Sequence, residues 1–165
     1  MAFSYYMSVK GQKQGQIVSG HSKPNDSSKI VVVGFDFSVQ TPRDPQSGQT
    51  SGKRQHKPIT IVKEVDSSSP RLLQACATNE ALTVVIYIEG SGQAGTSASS
   101  NIALNNATIA KIHKKPGKRN LELIVLMPAP AAPMHDYSRF ELAFQKIAWS
   151  WSQGGKTGSD SWDGR

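Results

Sequence analysis

Leu82-Thr83-Val84-Val85-Ile86-Tyr87-Ile88-Glu89 is apolar on nearly both parities. Leu82, Val84, Ile86 and Ile88 fill one, and Val85 and Tyr87 the other. The run predicts a central strand covered on both sides. Thr83 and Glu89 mark where one face nears water.

Working outward, the flanking segments alternate with a period of two, as a sheet with one buried face requires. In Phe3–Val9 the odd positions Phe3, Tyr5, Met7 and Val9 are apolar. In Val31–Gln40 the odd positions Val31, Val33, Phe35, Phe37 and Val39 predict the buried face, and Gly34 marks a bend or close backbone approach. Ile59–Val65 sets Ile59, Ile61, Lys63 and Val65 against Thr60, Val62 and Glu64. In Asn101–His113 the residues Ile102, Leu104, Ile109 and Ile112 change phase, which a bulge or break near Asn105–Asn106 would explain. Leu121–Met127 is a short apolar run. Arg139–Trp151 begins with Phe140, Leu142 and Phe144 on one parity and ends with Ile147, Trp149 and Trp151 on the other. A bulge near Gln145–Lys146 would keep both sets on the core. Otherwise Ile147, Trp149 and Trp151 face a partner.

One helix is convincing. Ser67-Ser68-Ser69-Pro70 supplies a serine N-cap and a proline at the first helical position. Leu72, Leu73, Cys76 and Ala77 follow at helical spacing, and Asn79 can close the end. Leu72, Leu73 and Cys76 are the expected packing face, with Cys76 structural and inert. The connections are long: Thr41–His56, Gly90–Ser100, the Pro/Ala stretch Pro128–Pro133, and a polar tail over 153–165.

The 165 residues suit one domain, and their low apolar share of 37% suits a β-rich chain with long polar loops. The formal charge is +7, concentrated in two loops. Arg43–Lys63 sets five bases against Asp44, and Lys111–Arg119 holds five bases and no acid. Neither loop carries aromatics that could stack on bases, which weighs against nucleic acid as a partner. A single cysteine excludes a disulfide framework and a cysteine zinc site, and no metal or other cofactor is expected. No apolar run is long enough to insert in a membrane as a helix. The start MAFSYYMSVK has no basic region followed by an apolar one, so no standard secretion signal is expected.

Chemistry-bearing motifs fail in context. Gly90-Ser91-Gly92-Gln93-Ala94-Gly95 fits a dinucleotide fingerprint, but nothing after it opens a helix. Gly155-Lys156-Thr157 and Gly52-Lys53-Arg54 are near misses of a P-loop. His21, His56, His113 and His135 show no metal spacing, and no G-x-S-x-G elbow supports a hydrolase. His56 is expected to be solvated or at an interface. No catalytic constellation is found.

Ser51-Gly52-Lys53-Arg54-Gln55-His56-Lys57-Pro58-Ile59, running into Thr60–Asp66 and Ser69–Ala75, resembles the haemolysin-coregulated protein (Hcp) family. That family forms the tube of the bacterial type VI secretion system. Leu104–Ile109, Phe140–Trp151 and Asp160-Ser161-Trp162 are similar to further stretches of the family, in the same order. The resemblance implies an antiparallel β-barrel with one short flanking α-helix. It implies hexameric rings stacked into a tube, a spike protein at the tip, a contractile sheath outside and effector cargo in the lumen. It implies assembly in the bacterial cytoplasm and export without a signal peptide. The loop Gln49, Ser51, Gly52, Lys53, Arg54, Gln55, His56 and Lys57 is expected to stack rings. Its glycines permit an excursion and its bases suit an acidic surface, with the tail residues Asp160 and Asp163 as one candidate acceptor. The alternative is a basic β-barrel that binds nucleic acid.

Overall fold

The alternation found in the sequence becomes thirteen strands and one helix in a computed structural model that describes residues 3–90, 99–114 and 136–161. The strands are β1 (Phe3–Gly11), β2 (Gly15–Ile17), β3 (Ser22–Lys23), β4 (Asp26–Val32), β5 (Gly34–Asp36), β6 (Val39–Gln40), β7 (Gln55–His56) and β8 (Ile59–Glu64). Helix α1 (Ser69–Ala77) follows. Then come β9 (Leu82–Gly90), β10 (Ser99–Lys114), β11 (Tyr137–Ala143), β12 (Lys146–Trp151) and β13 (Lys156–Ser161). All strand pairs are antiparallel, in the order β3-β4-β1-β9-β10-β11-β8-β5, with β12 on β10 and β13 on β12.

Two bent segments turn this ladder into a barrel. The hydrogen-bonded ladder itself is open, and chain continuity completes the circuit. β4 pairs with β1, then the chain bends and β5 pairs with β8. At the corner the Val33 amide donates to the Val62 carbonyl at 2.8 Å. β10 likewise serves β9 and β12 with its first half and β11 with its second. Its register shifts between Leu104 and Ala107, around Asn106 at φ +50°, and again between Ile109 and Lys111. Each shift moves the inward parity by one, so Ile102, Leu104, Ala107, Ile109 and Ile112 all pack on one core. The expected bulge at Asn105–Asn106 is therefore present.

Near Gln145–Lys146, where a bulge within one strand is the first expectation, the chain instead breaks into two strands, β11 and β12. Phe140, Leu142, Phe144 and Ile147 are all buried, because the chain leaves one sheet at β11 and joins the other at β12. Three expectations are corrected. Val31–Gln40 is not one strand but the end of β4, then β5 and β6, and its buried residues are Val32 and Gly34, in line with Ile30 before them. The bend falls at Val33 and the buried parity is even on both sides of it, so the odd residues Phe35 and Phe37 are half-buried and Val39 is exposed. β9 is central in its pairing with β1 and β10, but within this chain its buried residues are Leu82, Val84, Ile86 and Gly90, on one parity alone. Val85 and Tyr87 are half-buried, with the Lys29 ammonium 4.4 Å from the Tyr87 ring centre. Finally, the polar tail is a strand over Lys156–Ser161, made possible by Gly154 and Gly155, whose φ of +90° and +61° turn it back on β12. Leu121–Met127, Pro128–Pro133, most of the Gly90–Ser100 connection and the second basic loop beyond Lys114 lie outside the described residues.

Candidate assembly interface

The basic loop is an ordered arm. Val39–Gln40 pairs with Gln55–His56, and an Arg43–Thr50 bridge extends the hairpin outward. Asp44 organises the tip: its carbonyl accepts from the Gly48 amide at 2.8 Å, and its carboxylate from the Gln46 amide and Ser47 hydroxyl, each at 2.9 Å. Gln49, Ser51, Gly52, Lys53, Arg54, Gln55 and Lys57 are all exposed.

His56 departs from this pattern and from expectation. Strand alternation at β7 sends Gln55 outward and His56 inward, where its ring stands edge-on to Phe144 at 5.4 Å. Its Nε2 lies 2.6 Å from Asp160 Oδ2. Arg54 reaches the same carboxylate oxygen through Nε, and its terminal nitrogen donates to the Ser161 carbonyl at 3.2 Å. Burial pushes the Asp160 carboxyl up. The hydrogen bonds from Arg54 and His56 outweigh that and hold it below the usual carboxylate range. Asp160 thus meets the arm as the sequence suggested, but within one chain. Asp163 lies outside the described residues.

Ile147, Trp149 and Trp151 share one parity of β12 and part company along it. Ile147 joins the core, whereas Trp149 is 50% and Trp151 42% exposed. The Trp149 indole N–H donates to Ser100 Oγ at 2.5 Å, and its ring meets Phe37 edge-on at 6.4 Å. With Phe35, Val39, Ile88 and Ile102 it lines an open groove of about 580 Å³.

On α1, Leu72 and Ala75 are buried and Cys76 packs partly against the core. Leu73 is 59% exposed, contrary to expectation. It sits about 100° around the helix from Leu72, off the stripe that Leu72, Ala75 and Cys76 form at i, i+3 and i+4. Asn79 closes the helix in a left-handed conformation at φ +51°. Ser68 does not cap through its own side chain. Asp66 instead accepts from the Ser68 amide at 2.8 Å and the Ser68 hydroxyl at 2.5 Å.

Asp66 also holds the residue that sequence reasoning missed. Lys63 is completely buried, and its ammonium donates to Asp66 Oδ1 at 2.9 Å, the Glu64 carbonyl at 2.6 Å and Ser69 Oγ at 3.3 Å. Ser19 Oγ donates to Asp66 at 2.5 Å. Burial raises the Asp66 carboxyl, but Lys63, Ser19 and Ser68 together hold it below its ordinary value. The signal was present: a lone lysine on the inward parity of Ile59 and Ile61, an aspartate three residues on, and three serines.

The nucleotide motifs dissolve in this topology. Gly90 ends β9 and Ser99 opens β10, so the glycine motif lies between two antiparallel neighbours instead of within a parallel strand-helix-strand unit. Gly155-Lys156-Thr157 leads into β13.

An antiparallel barrel whose surface offers a projecting basic arm and two half-exposed indoles is a building block for assembly. Residues 6–151 match the family described as type VI secretion system effector, Hcp. The "Major exported protein" of Pseudomonas aeruginosa is 35% identical over 98% of this chain and 96% of its own. A crystal structure of an Hcp protein superposes with a TM-score of 0.80 at 26% identity, covering 96% of this chain and 99% of that one. A secreted Hcp protein of Pseudomonas aeruginosa gives a TM-score of 0.72 at 28% identity, covering 98% and 99%. The chain belongs to the Hcp family of type VI secretion tube proteins. It is a secreted, structural tube subunit rather than an enzyme. The nucleic-acid reading of the basic loops finds no support in these relatives.

Proposed function

We propose that this subunit closes into hexameric rings and that the arm Gln49–Lys57 stacks one ring on the next. The observation that carries the reading is the arm itself. Its strands form a ladder separate from the main sheet, and Lys53 and Lys57 are exposed. The half-exposed Trp149 and Trp151 suit a contact between neighbours in a ring, where aromatic residues concentrate. A closed ring also pairs like surfaces with unlike ones, so that edges such as β3, β5 and β13 can be covered. Isolated ion pairs contribute only about 0–1 kcal/mol each, but six arms acting together in one ring-to-ring contact suffice. The stack would carry a spike protein at its tip, lie within a contractile sheath and hold effectors in its lumen. It would assemble in the cytoplasm and leave without a signal peptide.

Lys53→Glu with Lys57→Glu tests this. Native mass spectrometry should still find hexamers, while electron microscopy finds no tubes and secretion fails. Tubes of normal length, or a strictly monomeric wild-type protein at micromolar concentration, would refute it.

A further inference from the structure

We propose that Asp160 is the positioning residue of the arm: the C-terminal strand β13 is a strap that sets the arm's angle for tube growth. The inference rests on the stacking role proposed above for Gln49–Lys57.

The geometry is that of a strap. The arm's two-residue strands pair only with each other, in a ladder apart from the main sheet that does not itself fix the arm's direction on the barrel. What holds its base is long-range. Asp160 lies opposite Ile147 on β12 and receives both Arg54 and His56, more than one hundred residues away in the chain. Arg54 continues to the Ser161 carbonyl, so it grips side chain and backbone of the strap together. Asp160 is itself oriented, because its Oδ1 accepts from the Ser161 amide at 2.9 Å. His56 closes the path to the core through Phe144, which sits at the turn between β11 and β12. Two donors on one partly buried carboxylate make charge-assisted bonds, stronger than a surface ion pair. By contrast, Lys53 and Lys57 flank this clamp and face outward. The division of labour follows: Arg54 and His56 fix the arm to its own subunit, and Lys53 and Lys57 are left to meet the next ring.

Asp160→Asn keeps the size of the side chain and removes its charge. In the full-length protein, peptides spanning Gln49–Lys57 should exchange amide hydrogens roughly tenfold faster or more. Hexamers should persist by native mass spectrometry, and tube length should fall several-fold. Asp160→Glu should restore most of both. Unchanged exchange would overturn the strap. Faster exchange with normal tubes would overturn its role in positioning, and loss of hexamers would move Asp160 into ring closure instead. Lys53→Glu with Lys57→Glu separates the two ideas. If that variant builds normal tubes, the stacking role fails, whatever the exchange experiment shows.

Discussion

Asp66→Asn attacks the buried ion pair that fastens the start of α1 to β8. Lys63 is wholly buried and Asp66 nearly so. The carboxylate has four donors: the Lys63 ammonium, the Ser19 hydroxyl, and the amide and hydroxyl of Ser68. Asparagine keeps the shape and one acceptor oxygen, enough for the Ser68 contacts. The same Oδ1 still accepts from the Lys63 ammonium, but it is no longer a countercharge at 2.9 Å, and an NH2 replaces the Oδ2 that Ser19 donates to. Removing one partner of a buried pair costs about 3–5 kcal/mol. Lys63→Met should cost less, about 1–2 kcal/mol, because Asp66 keeps its three serine donors. Once Lys63 is methionine, Asp66→Asn should add only about 1 kcal/mol, a coupling of about 2 kcal/mol or more. Urea unfolding at neutral pH measures this, at one fixed subunit concentration because assembly adds stability by mass action. The pair also sets an acid limb. The folded Asp66 carboxyl is held below its ordinary value, so its contribution is complete above the unfolded value of about 4. It is lost as pH falls through the lower folded value, and Asp66→Asn should flatten that limb. A cost under about 1 kcal/mol for Asp66→Asn, or strict additivity in the double variant, would refute the reasoning.

Other expectations follow from burial. Leu72→Ala should destabilise by about 2–5 kcal/mol and Leu73→Ala by no more than about 0.5 kcal/mol, read by the same unfolding curves. Trp149→Ala with Trp151→Ala should weaken rings in native mass spectrometry while circular dichroism of the subunit stays that of a β-barrel. Gly11→Ala places a Cβ against the Glu80 carboxylate, which caps the Lys13 and Gln14 amides at 2.6 and 2.8 Å. Displacing that carboxylate should cost about 1–3 kcal/mol in thermal or urea unfolding.

Much of the architecture was legible because alternation is local. A period of two needs only the chain's own backbone, so β1, β8, β9 and the two halves of 139–151 could be read without knowing their neighbours. Phase changes at Asn105–Asn106 and Gln145–Lys146 were equally visible, since a strand cannot bury both parities without an irregularity. The helix was marked by its serines, Pro70 and Asn79. The resemblance carried by Ser51–Ile59 and the later stretches led to the family.

Which parity faces the core was a different kind of question. The two parities of Val31–Gln40 are both apolar at their start, and only the pairing of β4 with β1 and β5 with β8 made Ile30 and Val32 the inward pair. Leu73 looked like Leu72 until the helix was laid on β10. Lys63 was read as one residue of a half-exposed strand, and it is buried with its ammonium held by Asp66, the Glu64 carbonyl and Ser69. The arm's charge could be counted from composition. Its division could not, because Arg54 and His56 meet Asp160 across most of the chain. Short-range pattern reports what each segment can bury. Burial and ion pairing are decided by contacts between segments far apart in sequence, and those exist only once the barrel has closed.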